Sequence, residues 1–394
     1  MNKRILDSDV QLYLEEHLHE DAARIALQKS PFPDVSSAEL ARQADSKKRC
    51  EKKLPAWYAT PGVYYPSRLA VEQSSSELTA IYKSSLAKGT RLIDLTGGLG
   101  VDAFFFSRKV QHVLHCEQNA ELSAIAEYNA RLMGADNIEF IREESIEYLN
   151  NSRLLFDTIY VDPSRRVQSR RVFLLKDTEP DVVRLMPLML SKSRRIIIKT
   201  SPLFDLQSGL AELHSVSEIH VVSVKNDCKE LLWVIDPEFN TEVTITCAVI
   251  TPEETRLFTF YPSEEKSAKQ PNFSTPLHYL YEPDVAILKA GAFKQAALKF
   301  GLQKLHQNTH LYTSTYLRPD FLGRIFKVLN VTDYKTFAST RKNLKANVVV
   351  RNFPSTPEEL KKKHRLSDGG DVFLMFATAP GDRLIVIEAE RLQH

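Results

Sequence analysis

Residues 91–103, RLIDLTGGLGVDA, run a short apolar stretch into Asp94 and then into Thr96-Gly97-Gly98-Leu99-Gly100. An apolar run that ends in a carboxylate and a glycine cluster describes a strand entering a tight turn. Glycines there let a small ligand lie directly against the backbone. A nucleoside triphosphate needs G-x-x-x-x-G-K-[S/T], whose lysine reaches the phosphates, and no such lysine follows Gly100. A dinucleotide stays open, because Gly98-x-Gly100-x-x-Ala103 fits G-x-G-x-x-A and Glu117 stands where a ribose-binding acid belongs. That single match leaves an NAD(P)-dependent oxidoreductase as the lesser alternative.

Three further features suit S-adenosylmethionine better. Asp94, just ahead of the glycines, would repel a pyrophosphate but suits a ligand carrying an ammonium and a sulfonium. Glu144-Ser145, in NIEFIREESIEYL, follows an apolar strand and puts an acid where an adenine amine can donate to it. Asp162-Pro163, in DTIYVDPSRR, ends another strand. All of these fall at carboxyl ends of strands, where the ligand crevices of open α/β sheets form.

The order and spacing of these motifs resemble the class I S-adenosylmethionine-dependent methyltransferases over roughly residues 70–250. The resemblance implies that Asp94, Thr96, Gly97, Gly98 and Gly100 seat the cofactor, that Glu117 holds the ribose hydroxyls, and that Glu144 with Ser145 meets the adenine. VEQSSSELTA (71–80), IIIKTSPLFDL (196–206) and the tail segments around HYLYEPDVAILKAG and VRNFPSTPEELKKKHRL are similar to a bacterial group with a THUMP-like C-terminal domain. THUMP domains bind RNA, so this resemblance implies an RNA partner, tRNA or rRNA rather than DNA.

Asp162 and the Pro163 carbonyl then take the catalytic positions. Such a pair accepts both hydrogens of an exocyclic base amine and aims its lone pair at the methyl carbon. Amine methyltransferases often carry [Asn/Asp]-Pro-Pro-aromatic here; Ser164 replaces the second proline and Arg165 the ring. The acceptor pair is kept and the stacking platform is lost, although a guanidinium can itself stack on a base or bind phosphate. Ser164, Arg165 and Arg166, with Lys199 and Ser201 after the fifth strand, are the expected substrate-binding residues, and Arg170 and Arg171 extend the basic run. Asp205 stands on the same edge. The departure from the aromatic pattern also motivates a second reading, an RNA-binding or assembly protein that keeps the fold with weak or no transfer.

The elements that must hold these residues follow from the apolar pattern. Between 91 and 250, RLIDL, HVLHCE, IEFI, DTIYVD and RRIIIKT alternate with segments long enough for crossover helices, such as NAELSAIAEYNARLMG (119–134). EIHVVSV, ELLWVID and VTITCAVI then follow closely. This predicts an α/β, Rossmann-like sheet, mostly parallel, with an antiparallel hairpin at its end. Residues 5–30 have helical spacing, and Ser36 or Ser37 caps the next helix. LPAWYATPGVYYP reads as an ordered surface loop whose Trp57, Tyr58, Tyr64 and Tyr65 stack on a base, cover the cofactor or anchor packing. PSEEKSAKQPNFSTP reads as a linker. The expected organisation is a helical N-terminal region over 1–75, a methyltransferase domain over 76–262, a small ferredoxin-like piece over 277–320 and a THUMP-like α+β module over 321–394.

Composition sets the remaining bounds. With 394 residues, 43% of them hydrophobic and 26% charged, the chain has core material for two or three domains. A net charge of +2 gives no global pull toward nucleic acid, so RNA contact must come from local runs such as SRRVQSRR, KKRCEKK and KKKHR. Cys50, Cys116, Cys228 and Cys247 show no C-x-x-C spacing and the histidines no H-x-x-x-H, so no metal is expected. The N-terminus lacks a signal-peptide core, and no apolar run reaches the roughly 18 residues of a membrane span. The chain reads as cytoplasmic and reduced; its oligomeric state is not written in the pattern. The glycine turn yields a direct test. Saturating S-adenosylhomocysteine should raise the melting temperature while NAD and NADP do not, a ligand at 100 times its Kd adding about 2.7 kcal/mol. A shift with NAD(P) alone would restore the oxidoreductase reading.

Overall fold

Short apolar runs bounded by polar turns become strands, and in some, such as Thr158–Val161, every residue is buried. In the computed structural model, residues 1–165, 174–340 and 343–392 are described. The chain falls into two units, Met1–Glu218 with Glu230–Thr241, and Ile219–Lys229 with Glu242–His394.

The first unit opens with helices α1 (Ser8–Glu16), α2 (Ala22–Leu27), α3 (Ser37–Lys53), α4 (Pro55–Ala59), α5 (Arg68–Gln73) and α6 (Glu77–Ser84). The helical spacing over 5–30 is broken after Glu16, and Asp21 restarts it by accepting the Ala23 N–H. Ser36 caps α3 in a capping box with Glu39, as its sequence suggests. The aromatic stretch departs from expectation. It contains α4, and Trp57, Tyr64 and Tyr65 are buried rather than displayed on a surface loop. The Tyr65 hydroxyl donates to the Trp57 carbonyl (2.9 Å) and the Tyr64 N–H to Asn129 Oδ1 (2.9 Å). These rings anchor packing and are not available to stack on a base.

The sheet of this unit comprises β1 (Arg91–Asp94), β2 (His112–Cys116), β3 (Ile138–Ile141) and β4 (Thr158–Val161), a two-residue pair β5 (Ser164–Arg165) and β6 (Thr178–Glu179) standing apart, then β7 (Ile196–Thr200). β1 pairs in parallel with β2 on one side and β4 on the other; β3 continues from β2 and β7 from β4, all parallel. The chain therefore reverses its direction of travel across the sheet between β1 and β4, and a ligand crevice is expected beside the carboxyl ends of those two strands. Helices α7 (Val101–Ser107), α8 (Ala120–Leu132), α9 (Ser145–Asn151) and α10 (Val182–Lys192) lie between the strands, and α11 (Leu206–Glu212) follows β7. β8 (Val216–Val224) leads into β9 (Asp227–Ile235), which runs antiparallel on β7. This is the mostly parallel Rossmann-like sheet ending in an antiparallel hairpin that the pattern predicts.

The second unit carries the antiparallel pair β10 (Thr244–Ile250) and β11 (Thr255–Phe260). The expected linker begins as a helix, α12 (Pro262–Ser267), and the Glu265 carboxylate accepts the Lys294 and Gln295 N–H groups at 2.9 and 2.8 Å. That stretch is therefore packed rather than free. The helical stretch beyond it divides at Gly291, left-handed at φ +73°, into α13 (Val285–Ala290) and α14 (Phe293–Phe300). A mixed sheet combines β12 (Tyr279–Pro283), β13 (Gln303–His306), β14 (Thr309–Ser314), β15 (Gly323–Asp333), β16 (Asn347–Arg351), β17 (Val372–Ala379) and β18 (Arg383–Arg391) in the order β13-β14-β12-β15-β18-β17-β16. Helices α15 (Tyr334–Thr340) and α16 (Pro357–His364) complete it; α16 buries Leu360 and His364 and leaves Lys362 and Lys363 exposed.

Back in the first unit, α11 approaches β9 through Gly209, where a Cβ would lie 2.2 Å from the Trp233 ring. The Trp233 indole N–H donates to Thr200 Oγ1 at 3.0 Å, so this contact fixes the segment that follows the end of β7. Overpacking of this kind costs about 1–3 kcal/mol. Gly209→Ala should therefore lower the melting temperature by several degrees in a thermal-denaturation assay. An unchanged midpoint would show that α11 can move off the indole freely.

Candidate active site

A cavity of about 820 Å3 lies at the carboxyl ends of β1, β2, β4 and β7. The glycine turn forms one wall with its backbone. Thr96 ties the two sides of the crevice together: its hydroxyl and N–H donate to Asp94 Oδ1 (3.4 and 2.9 Å), and its oxygen accepts the Asp162 N–H at 2.7 Å. The Gly97 N–H donates to the Cys116 carbonyl (2.9 Å) and the Gly98 N–H to Glu117 Oε2 (3.0 Å), which pins the turn to the end of β2. Glycine is required here for two reasons. A Cβ on Gly97 would lie 2.4 Å from His115 Nε2, and Gly98 and Gly100 hold φ angles of +54° and +79°. His115 is fully buried under the turn, and burial lowers its pKa to about 4, so the ring is neutral.

Glu117, Glu144 and Ser145 line the cavity. Glu117 also accepts the Asn119 N–H (2.7 Å), and Glu144 caps α9 by accepting the Glu147 N–H (2.7 Å). Asp94 does not line it. It lies behind Thr96, 1% exposed, and among the described residues its Oδ2 has no hydrogen-bond partner. Burial pushes its pKa up to about 8, assisted by Asp102 and Asp162 and opposed by Thr96.

On the opposite side Asp162 and Lys199 both line the cavity, and Lys199 Nζ donates to Asp162 Oδ2. Pro163 follows Asp162 half-buried. Ser164 lines the cavity, with its hydroxyl donating to the Glu179 carbonyl (3.2 Å) across the β5–β6 pair. Ser201 is not brought to the cavity: its hydroxyl accepts the Leu203 N–H in the turn after β7 (3.3 Å). Asp205 likewise caps α11. Arg166, Arg170 and Arg171 lie outside the described residues, as does the side chain of Arg165.

Several residues essential to this geometry escape a reading of the sequence. Lys83 on α6 is fully buried; it donates to Ser75 Oγ (2.6 Å) and lies 3.1 Å from both Asp102 and Glu230. Asp102 also accepts from Ser75 Oγ (2.8 Å) and the Tyr160 hydroxyl (3.0 Å). Burial works to raise the Asp102 pKa, but Lys83, Lys199 and Ser75 overcome it and hold the carboxyl below its usual range. Burial prevails at Glu230 and raises its pKa despite the two lysines. The only sequence signal for this network is a lysine in an otherwise buried helical face and a carboxylate inside VDAFFF.

The described cavity wall carries Asp102, Glu117, Glu143, Glu144, Asp162 and Glu179 against Lys199. Such a balance repels a pyrophosphate and favours a cation. With the glycine cradle, it fits S-adenosylmethionine: the turn would hold the methionine and ribose part, Glu117 the ribose hydroxyls, and Glu144 with Ser145 the adenine.

Comparison with known proteins agrees. A family model described as a ferredoxin-like domain matches residues 279–321, and one described as THUMP domain-like matches residues 323–391. A crystal structure from Porphyromonas gingivalis W83, assigned as a methyltransferase, is 32% identical, with 99% of each chain covered and a TM-score of 0.86. The chain belongs to the class I S-adenosylmethionine-dependent methyltransferases with a THUMP-like C-terminal domain. Among curated proteins, ribosomal RNA small subunit methyltransferase J of Coxiella burnetii is 27% identical over 138 residues, 30% of this chain and 54% of that protein. An uncharacterised RNA methyltransferase of Mycoplasma mobile is 32% identical over 75 residues, 19% of this chain and 21% of that protein. The chain thus spans about half, or less, of the length of these curated relatives. Among the described residues, no helix is long and apolar enough to cross a membrane and no group of His, Cys, Asp and Glu could hold a metal ion.

The buried Asp94 gives a pH signature. The unfolded chain releases this proton near pH 4 and the folded chain near pH 8, so the folded state holds one more proton between those values. Stability contributed at this site falls as pH rises through that window and levels off above it. Denaturation midpoints of the wild type relative to Asp94→Asn should therefore decline from pH 4 to 8. A difference independent of pH would show that Asp94 does not titrate in this way.

Proposed function

We propose that this chain transfers a methyl group from S-adenosylmethionine to an amino nitrogen of an RNA base, in tRNA or rRNA. The observation that carries the reading is that Asp162 lines the same cavity as the glycine turn, with its backbone fixed by Thr96 and Pro163 next in the chain. The names of the curated relatives, both RNA methyltransferases, and the THUMP-like match support RNA as the acceptor.

The bound cofactor supplies an electrophilic methyl group on a sulfonium. The residues of this chain do the positioning. Asp162 and the Pro163 carbonyl accept the hydrogens of the amine and direct its lone pair along the line of displacement. Thr96 holds the Asp162 backbone, and Lys199 holds one of its carboxylate oxygens. The carboxylates around the cavity favour a cationic donor over its neutral product. Alignment supplies most of the rate enhancement, and acid–base chemistry supplies little. Ser164, Arg165 and Arg166 would meet the flanking nucleotide, with the arginines taking phosphate or stacking on a base.

A second reading, RNA binding or assembly without efficient transfer, rests on Ser164 standing where amine methyltransferases carry a second proline, its hydroxyl held to the Glu179 carbonyl. One experiment separates the two. Radiolabelled methyl transfer to total RNA from cells lacking this protein should occur with the wild type. With Asp162→Ala it should fall about 100-fold or more, S-adenosylhomocysteine affinity staying within a few-fold. Undiminished transfer by that variant would overturn the mechanism, and tight RNA binding without any transfer by the wild type would favour the second reading.

A further inference from the structure

We propose that Lys199 reads the atom beside the acceptor amine, so that the site accepts amino groups flanked by a ring nitrogen that takes a hydrogen bond: adenine N6, cytosine N4, or guanine N2 approached from its N3 side. The inference rests on the amine reading above and adds a specificity-determining residue to it.

The geometry is a donor and an acceptor side by side. Asp162 and Lys199 both line the cavity, with side chains 30% and 17% exposed, so each presents surface to a ligand while paired with the other. Lys199 Nζ donates to Asp162 Oδ2. Among the described residues that is its one hydrogen bond, and an ammonium has three N–H groups to give. Asp162 Oδ1 likewise accepts from no described residue, and Asp162 lines the cavity. A second observation holds the donor in its role. Burial alone would lower the Lys199 pKa, but the carboxylates of Asp162, Glu230 and Asp102 outweigh it and hold the pKa above its ordinary value. At working pH Lys199 can donate a hydrogen bond and cannot accept one.

An acceptor beside a permanent donor complements a base edge that shows an amine next to a bare ring nitrogen. It opposes an edge that shows an amine next to a ring N–H, as guanine does at N1, because two donors would face each other and lose their partners. In the transfer, the amine lone pair forms the N–C bond as the methyl carbon–sulfur bond breaks, its electron pair remaining on sulfur. The amine then loses one proton to the Asp162 carboxylate, from which it passes to water. Lys199 takes no part in that balance and acts by orienting the base.

The test has two stages. Mass spectrometry of nucleosides from total RNA methylated by the wild type should show a methylated exocyclic amine. A methyl group on a ring nitrogen, a carbon or the ribose, or none at all, would overturn the amine reading and this inference with it. A short RNA carrying the identified base is then compared with one in which the flanking ring nitrogen is replaced by C–H. The wild type should lose about 10- to 100-fold in kcat/KM on the replaced RNA. Lys199→Met should lose a similar factor on the natural RNA and discriminate little between the two. Equal wild-type rates on both RNAs would overturn the role of Lys199 while leaving amine methylation standing, and so would full discrimination retained by Lys199→Met. The wild-type comparison decides the matter even where the variant folds poorly.

Discussion

Lys83, fully buried between Asp102 and Glu230, makes the rest of this site possible. A cavity built to receive a cationic ligand must gather carboxylates, and carboxylates gathered in a poorly solvated place repel one another. Leaving a buried charge unpaired costs on the order of 3–5 kcal/mol, so the cluster persists only with cations inside it. Lys83 neutralises the buried end of the network and Lys199 the end that faces the cavity. Asp102, reached by both, stays ionised although burial opposes it. Glu230 and Asp94, where burial outweighs the help available, are pushed toward the neutral form. The same group of residues thus holds carboxyls shifted in opposite directions: Asp102, which also accepts from Ser75 and Tyr160, is held low, while burial raises Glu230 and Asp94.

The glycine turn solves a different problem in the same crevice. Its backbone must pass close over His115 and then turn sharply enough for α7 to begin at Val101. Side chains would fill the space that a ligand needs. Thr96 is the one polar side chain of the turn, and it joins the end of β1 to the end of β4 through Asp94 and Asp162. The Thr96 hydroxyl thus adds a side-chain tie between the ends of two strands already paired in parallel, at the point where the strand order reverses.

The second unit reverses the pattern, with two arginines on one buried carboxylate. Glu282, 2% exposed at the end of β12, lies between Arg324 of β15 and Arg351 of β16. Here one buried carboxylate fastens three strands of a mixed sheet that no simple apolar alternation announces. β15, for example, is buried over Ile325 and Phe326 and exposed at Leu329 and Val331.

Local chemistry made much of this legible from the sequence. Apolar runs of four or five residues set between polar segments favour strands, so RLIDL, IEFI and RRIIIKT stand where they were expected. Ser36 or Ser37 was expected to cap the next helix, and Ser36 does so. The glycines after Asp94 demanded a tight turn, and Glu117, Glu144 and Asp162 had to fall on one edge because parallel strands present their carboxyl ends together. The tertiary structure alone decided what those side chains meet. Lys83 and Glu230 are 147 positions apart, and nothing local to either names the other. Tyr64 and Tyr65 could have faced solvent until Asn129 and Trp57 supplied their partners. A strand or a cap is settled by interactions within a few residues of chain, whereas the charge on a buried carboxyl is settled by whichever distant segments fold against it.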